Sequence, residues 1–108
     1  MAVYNPAERT PKELFPGAVA RTFWGEKVLL SYLDLAPGCF VPLHSHPHEQ
    51  AGIVLEGELD FTIGGERSIV KSGELFIIPG GVEHSVQVGE APARVLDIFS
   101  PVREEYKW

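Results

Sequence analysis

Two histidines two residues apart, a glutamine four residues after the second, and a third histidine past a Pro-Gly-Gly turn are the side chains of this sequence best equipped for chemistry. His44 and His46 point the same way if their segment is extended, because successive side chains of a strand alternate faces. Gln50 adds an amide oxygen, and His84 follows Pro79, Gly80 and Gly81. Imidazole nitrogens with one oxygen donor suit a borderline divalent transition metal: zinc, iron, nickel, copper or manganese. His48 shares the parity of His44 and His46 but follows Pro47, where the chain turns, so it belongs to the rim rather than among the ligands. Glu49 is the other local rival. A lone histidine in a strand is more often a hydrogen-bonded surface or core residue than a ligand.

The donor set has an electrostatic consequence. Three neutral imidazoles and a neutral amide leave the charge of a metal uncompensated by the protein. Such a centre favours an anionic ligand in its open positions and acts as a stronger Lewis acid. It is better suited to polarising an oxygen than to redox cycling.

The elements that must carry these residues are strands. Leu59, Phe61 and Ile63 alternate with Glu58, Asp60 and Thr62, the pattern of a half-buried strand, and the pair Gly64-Gly65 then supplies a tight hairpin into Ser68-Ile69-Val70. Further short strands are expected over Val28 to Leu35, Ala51 to Leu55, Leu75 to Ile78, His84 to Val88 and Arg94 to Phe99. Turn residues separate them, including Ala36-Pro37-Gly38 and Gly89-Glu90-Ala91-Pro92. The result is an all-β sandwich or barrel. At most, Pro11 to Leu14 or Val102 to Tyr106 makes a helical turn; no internal repeat, low-complexity tract or linker is visible. One stretch breaks the apolar rule. Val95, Asp97 and Phe99 alternate onto one face, and a carboxylate there is costly unless it is paired or used.

Composition narrows the functional classes. A chain of 108 residues is expected to form one domain with a single core. Its net charge of −6, with no Lys/Arg cluster, argues against nucleic acid or anionic membrane as a partner. The single cysteine, Cys39, cannot form an internal disulfide, which fits a cytoplasmic setting, and it reads as a small buried apolar residue. The opening Met1-Ala-Val-Tyr-Asn-Pro has no basic region followed by an apolar run, so no signal peptide is expected. No apolar stretch approaches the length of a membrane span.

These residues also carry a family resemblance. Gly38, His44, His46, Gln50 and Gly57 fall in the order of the first cupin motif, and Gly73, Pro79, Gly81 and His84 in that of the second. The sequence departs from the pattern at Gln50, where most of the family has Glu, and at Val88, where the second motif often ends in Asn. The first changes the charge of the site, the second only packing. The resemblance implies a double-stranded β-helix, a jelly-roll cupin barrel with the metal in its mouth. Edge strands left open by such a fold lead us to expect a homodimer.

A narrower resemblance lies in His-Ser-His-Pro-His-Glu-Gln at 44–50, Leu-Glu-Gly-Glu-Leu at 55–59 and Asp-Ile-Phe-Ser-Pro-Val-Arg-Glu at 97–104. It is similar to pectin-degradation cupins of the KdgF type, which help convert 4,5-unsaturated uronic acid monosaccharides from pectin or alginate breakdown to linear ketonised products. The resemblance implies His44, His46, Gln50 and His84 as ligands of a divalent metal (zinc, nickel, iron or manganese), and Asp97, Phe99 and Arg103 as residues for a small carboxylate or sugar-acid substrate. Asp97 would move the proton, Arg103 clamp the carboxylate and Phe99 wall the ring. Two other readings stand beside this one: a metal-dependent cupin dioxygenase, and a non-catalytic cupin that binds a small ligand.

Overall fold

The computed structural model describes residues 2–108. Among them, ten strands follow one another: β1 (Lys12–Phe15), β2 (Ala18–Trp24), β3 (Leu29–Leu35), β4 (Phe40–His44), β5 (Glu49–Glu56), β6 (Glu58–Ile63), β7 (Glu66–Lys71), β8 (Leu75–Ile78), β9 (His84–Val88) and β10 (Ala93–Ser100). Short 3₁₀ turns at Pro6–Glu8 and Glu104–Tyr106 bracket them. Among the described residues no helix is long and apolar enough to cross a membrane.

The strands form two antiparallel sheets, one ordered β1-β2-β3-β10-β5-β8 and the other β4-β9-β6-β7. This is the jelly-roll arrangement expected from the sequence. Alternation decides which side chains face inward: β10 buries Ala93, Val95, Asp97 and Phe99 and turns Arg94, Leu96 and Ile98 outward. Apolar residues from both sheets, among them Val54, Leu59, Phe61, Ile78, Val88 and Val95, make the main core. Burying this surface is the principal stabilising term. Val88 is 1% exposed, so the residue in place of the motif's Asn does serve packing.

A smaller cluster of Leu29, Phe99 and Val102, flanked by Trp24 and Tyr106, holds the C-terminal segment back over one end of the barrel. Thr22 fastens it there by donating its hydroxyl hydrogen to the Tyr106 carbonyl at 2.6 Å.

The β6–β7 hairpin turns at Gly64 and Gly65, whose φ angles of 57° and 83° a residue with a Cβ adopts at a cost. In three places the expected elements differ, one of them β4 at Phe40–His44, a strand outside the expected set. Residues 12–15 are a strand, not a helical turn, because pairing of Lys12 with Ala20 and Glu13 with Val19 satisfies backbone groups that so short a helix would leave open. The strand over Ala18–Trp24 was not anticipated; its inward positions Ala18, Ala20 and Thr22 are too small and mixed to give a clear hydrophobic alternation. The 3₁₀ turn at Glu104–Tyr106 falls inside the expected Val102 to Tyr106.

Candidate metal centre

The two histidine-bearing segments meet across the four-stranded sheet. His44 ends β4 and His84 begins β9, and they are direct partners in the antiparallel ladder, with ring centroids 4.2 Å apart. His46 lies in the loop after β4, its ring 5.0 Å from that of His84. The loop is held by a hydrogen bond from the Gly81 amide to the His46 carbonyl at 2.8 Å. Gly80 allows that approach, since a Cβ there would collide with the Pro47 carbonyl oxygen. One ring nitrogen from each of the three histidines lies within 4.8 Å of the others, and the group could hold a metal ion.

The hydrogen bonds around the rings set their tautomers. Each Nδ1–H donates to a backbone carbonyl: His44 to Pro42 at 2.8 Å, His46 to His48 at 3.0 Å and His84 to Val82 at 2.9 Å. A carbonyl only accepts, so Nδ1 carries the proton in each neutral ring and Nε2 presents a lone pair. This outer hydrogen bonding is how metal-binding imidazoles are oriented. Burial draws the pKa of His84 down to about 4, aided by His44, His46 and Arg103 and opposed by the Val82 carbonyl. Burial, and then Arg103, also lower that of His46. Both rings are therefore neutral donors at neutral pH.

Two features fit a cation at this place. His84 Nε2 is buried with no partner among the described residues. His46 Nε2 faces the Gln50 side-chain oxygen at 3.0 Å, while the Gln50 amide nitrogen donates to Asp97 Oδ1 at 3.0 Å. Two lone-pair atoms so close repel unless a proton or a cation lies between them. A cation between them would accept both lone pairs at once. Gln50 thus stands beside the histidine cluster and ties it to Asp97.

Asp97 is 7% exposed, and burial pushes its carboxyl up to about 7, partly opposed by the Gln50 amide and the Arg103 guanidinium. Phe99 and His46 meet in a T-shaped arrangement, ring centroids 5.5 Å apart, while Phe99 also packs against Leu29 and Val102. Arg103 lies over Tyr106 at 4.0 Å and Phe99 at 5.2 Å, with Nε donating to Glu105 at 2.7 Å. Its side chain is 14% exposed, so it is not the freely solvated charge that composition favours. One cavity is lined by His44, His84, Gln50, Asp97, Phe99 and Arg103.

His48 stands outside the three-histidine group and contributes its backbone carbonyl to His46. Cys39 is buried, with its thiol pKa raised by burial and then by Glu13, as expected of an inert packing residue. Sequence reasoning passed over Tyr106 and Ser31, which also line the cavity. Tyr106 gave one signal, an aromatic residue close after Arg103; Ser31 gave none, because a serine in a strand is unremarkable until its neighbours are known.

The jelly roll and its histidine cluster define the class: the chain belongs to the cupin family, whose domain model matches residues 31–99. Over nearly its whole length it is similar to the pectin degradation protein KdgF of Dickeya dadantii (strain 3937), 27% identical over 109 residues that cover 98% of this chain and 99% of that protein. It is also 37% identical over 93 residues to germin-like protein 3-8 of Oryza sativa subsp. japonica, a match covering 77% of this chain but 41% of that protein. Among solved structures, KdgF from Halomonas sp. superposes with a TM-score of 0.90 at 22% identity, covering 97% of each chain. An oxalate decarboxylase from Bacillus subtilis superposes at 0.83 and 23% identity, covering 97% of this chain and 31% of that one. These structural likenesses concern the fold.

Proposed function

We propose that this cupin is a metal-dependent enzyme that converts 4,5-unsaturated uronic acid monosaccharides, from pectin or alginate breakdown, to linear ketonised products. The observation that carries the reading is the Gln50 bridge: one amide joins the histidine cluster to a buried carboxyl in a cavity that also holds a guanidinium. The full-length similarity to a pectin degradation protein supports it.

His44, His46, His84 and the Gln50 oxygen would hold the metal. A divalent ion there supplies Lewis-acid polarisation of a substrate oxygen. The remaining work falls to the chain. Opening the cyclic substrate breaks the bond between the anomeric carbon and the ring oxygen, turns the anomeric hydroxyl into an aldehyde carbonyl and passes its proton to the ring oxygen, which leaves an enol; ketonisation takes the enol hydroxyl proton and adds a proton to the neighbouring alkene carbon. Asp97 Oδ1 is engaged by Gln50, and its Oδ2, which has no hydrogen-bond partner among the described residues, is the atom to take and return that proton. Phe99 and Tyr106 form an apolar wall against the ring.

Arg103 receives the substrate carboxylate. With Nε fixed by Glu105, its two terminal nitrogens form the fork that matches a carboxylate. Arg103→Lys keeps the charge and loses the fork, so KM for the uronate rises while metal content stays the same. Arg103→Ala is expected to cost about 1.5–3 kcal/mol in kcat/KM. Wild-type constants in both variants return Arg103 to a structural role.

Gln50→Glu is expected to keep the metal, bound as tightly or more so, because a carboxylate adds charge. The variant also replaces the donor to Asp97 with a second carboxylate about where the amide stood, so the pair must share a proton. Turnover should fall at least about tenfold. Equal activity shows that the amide is incidental. The reading as a whole is tested by loading the purified protein with zinc, nickel, iron or manganese and following the ultraviolet absorbance of an unsaturated uronate. Acceleration well above the spontaneous rate, abolished by a chelator, is the expected result. No acceleration with any of these metals refutes it, and oxygen consumption would indicate dioxygenase chemistry instead.

A homodimer is part of the same reading. Leu75 and Ile77 on edge strand β8 are 75% and 66% exposed. The ladder sets them beside Ile53 and Ala51 of β5, then Leu96 and Ile98 of β10, an apolar stripe on the outer face of the larger sheet. A second copy fits this face because the two rows contain no carboxylate to set two chains of net charge −6 against each other. Sedimentation should give a dimer that Leu75→Glu with Ile77→Glu converts to monomers retaining metal. A monomeric wild type at tens of micromolar refutes this interface.

A further inference from the structure

We infer that Ser31 forms a hydroxyl-recognition subsite in the floor of the cavity, taking a hydroxyl group of a polyhydroxylated carboxylic acid. The inference rests on the proposal that this cavity binds a sugar acid. Ser31 lies on β3, directly opposite Asp97 of β10 on one side and Thr22 of β2 on the other. All three are buried on the inner face of the larger sheet, a polar row across an otherwise apolar floor. Thr22 is satisfied, its hydroxyl donating to the Tyr106 carbonyl. Ser31 is not. It is 1% exposed, its Oγ has no hydrogen-bond partner among the described residues, and it lines the same cavity as Asp97, His84 and Arg103.

Buried hydroxyls without partners are rare, and each calls for an explanation. An alanine would pack at this position without leaving a polar atom stranded. A serine there is useful when an incoming group completes its hydrogen bonds. The hydroxyl both donates and accepts, and the neighbouring carboxyl accepts. That pairing matches a sugar hydroxyl, which also donates and accepts. Directly opposed residues of an antiparallel pair have Cβ atoms about 4.5–5.5 Å apart, so one ligand hydroxyl can reach both Ser31 and Asp97. Arg103 meanwhile supplies the donor set for a carboxylate on the same ligand. The cavity is therefore built to separate hydroxylated acids from simple carboxylates of the same ring size, because a hydrogen-bonding site rejects a ligand that leaves its polar groups unmet.

The test is calorimetric titration of the metal-loaded full chain with two stable ligands: saturated galacturonate, and tetrahydropyran-2-carboxylate, which keeps the ring and the carboxylate without hydroxyls. The wild type should prefer galacturonate by about tenfold or more. Ser31→Ala should weaken galacturonate about fivefold to tenfold and leave the hydroxyl-free acid unchanged. Its metal content should stay the same and its ligand-free melting temperature should be equal or higher, since a stranded hydroxyl has been removed. Ser31→Cys, which keeps the size but donates weakly, should fall between.

Equal galacturonate affinity in wild type and Ser31→Ala overturns the inference. So does an equal loss for both ligands, or a wild type without preference for the hydroxylated acid. Binding that depends on Ser31, in a protein that turns over no unsaturated uronate, removes the proposed reaction and leaves the subsite. Turnover with a KM indifferent to Ser31→Ala does the reverse.

Discussion

Replacing His84 with alanine is expected to strip the protein of its divalent metal and with it the stabilisation that metal confers. His84 is 2% exposed, with its Nδ1 pinned to Val82 and its Nε2 buried without a partner. At a free metal concentration one hundred times Kd, binding adds about 2.7 kcal/mol to the stability of the wild type. For a chain of this size that raises the melting temperature by roughly 10 °C or more. Adding zinc or manganese to the His84→Ala variant should give little or no shift, while circular dichroism still reports the strands. Ring truncation at a buried site also costs packing, so the comparison is made between metal-free and metal-loaded forms of the same variant. His44→Ala and His46→Ala should behave alike. Stoichiometric metal retained after both changes together would exclude the site.

Asp97→Asn should produce the largest loss of activity that leaves the metal in place. The change preserves shape, and the Asn side-chain oxygen can still accept from the Gln50 amide, so the orientation of Gln50 toward His46 is kept. What disappears is the exchangeable proton. A group acting as general acid and base contributes about 10²–10⁴-fold, and kcat should fall by that amount with metal content unchanged. The buried carboxyl also has a separate effect on stability. Its pKa in the folded protein, about 7, lies above the ordinary carboxylate value of 3.8, so the folded state binds this proton more tightly than the unfolded one. The group therefore favours folding most below pH 3.8, and this contribution declines as pH rises toward 7. At pH 8 the metal-free Asn variant should be more stable than the wild type. A variant that loses stability while keeping its turnover assigns Asp97 to structure.

How far the site could be read before folding depends on how local its signals are. The spacing of His44 and His46 follows from strand alternation, and glycines set the turns that bring in His84, so the cluster was legible from residues 38–57 and 73–84. The β6–β7 hairpin was legible for the same reason: alternation on both sides of Gly64-Gly65 leaves little choice. Asp97 stood out because a carboxylate on an apolar face violates the burial rule wherever the partner lies.

Other features depend on contacts between residues distant in sequence. β2 is small and mixed in composition, and only its pairing with β3 and β1 makes it a strand. The Gln50–Asp97 hydrogen bond spans 47 positions and exists because β5 and β10 are neighbours in the sheet. The charge on Arg103 was visible, but its stacking on Tyr106 and fixing by Glu105 come from a C-terminal segment folded back onto Thr22 and Leu29. Ser31 is the extreme case. Nothing in its local sequence distinguishes it, and its stranded hydroxyl acquires meaning only beside Asp97. Local sequence encodes which face a side chain takes; which other side chains share that face depends on strand order, and strand order is set by the burial of the whole chain.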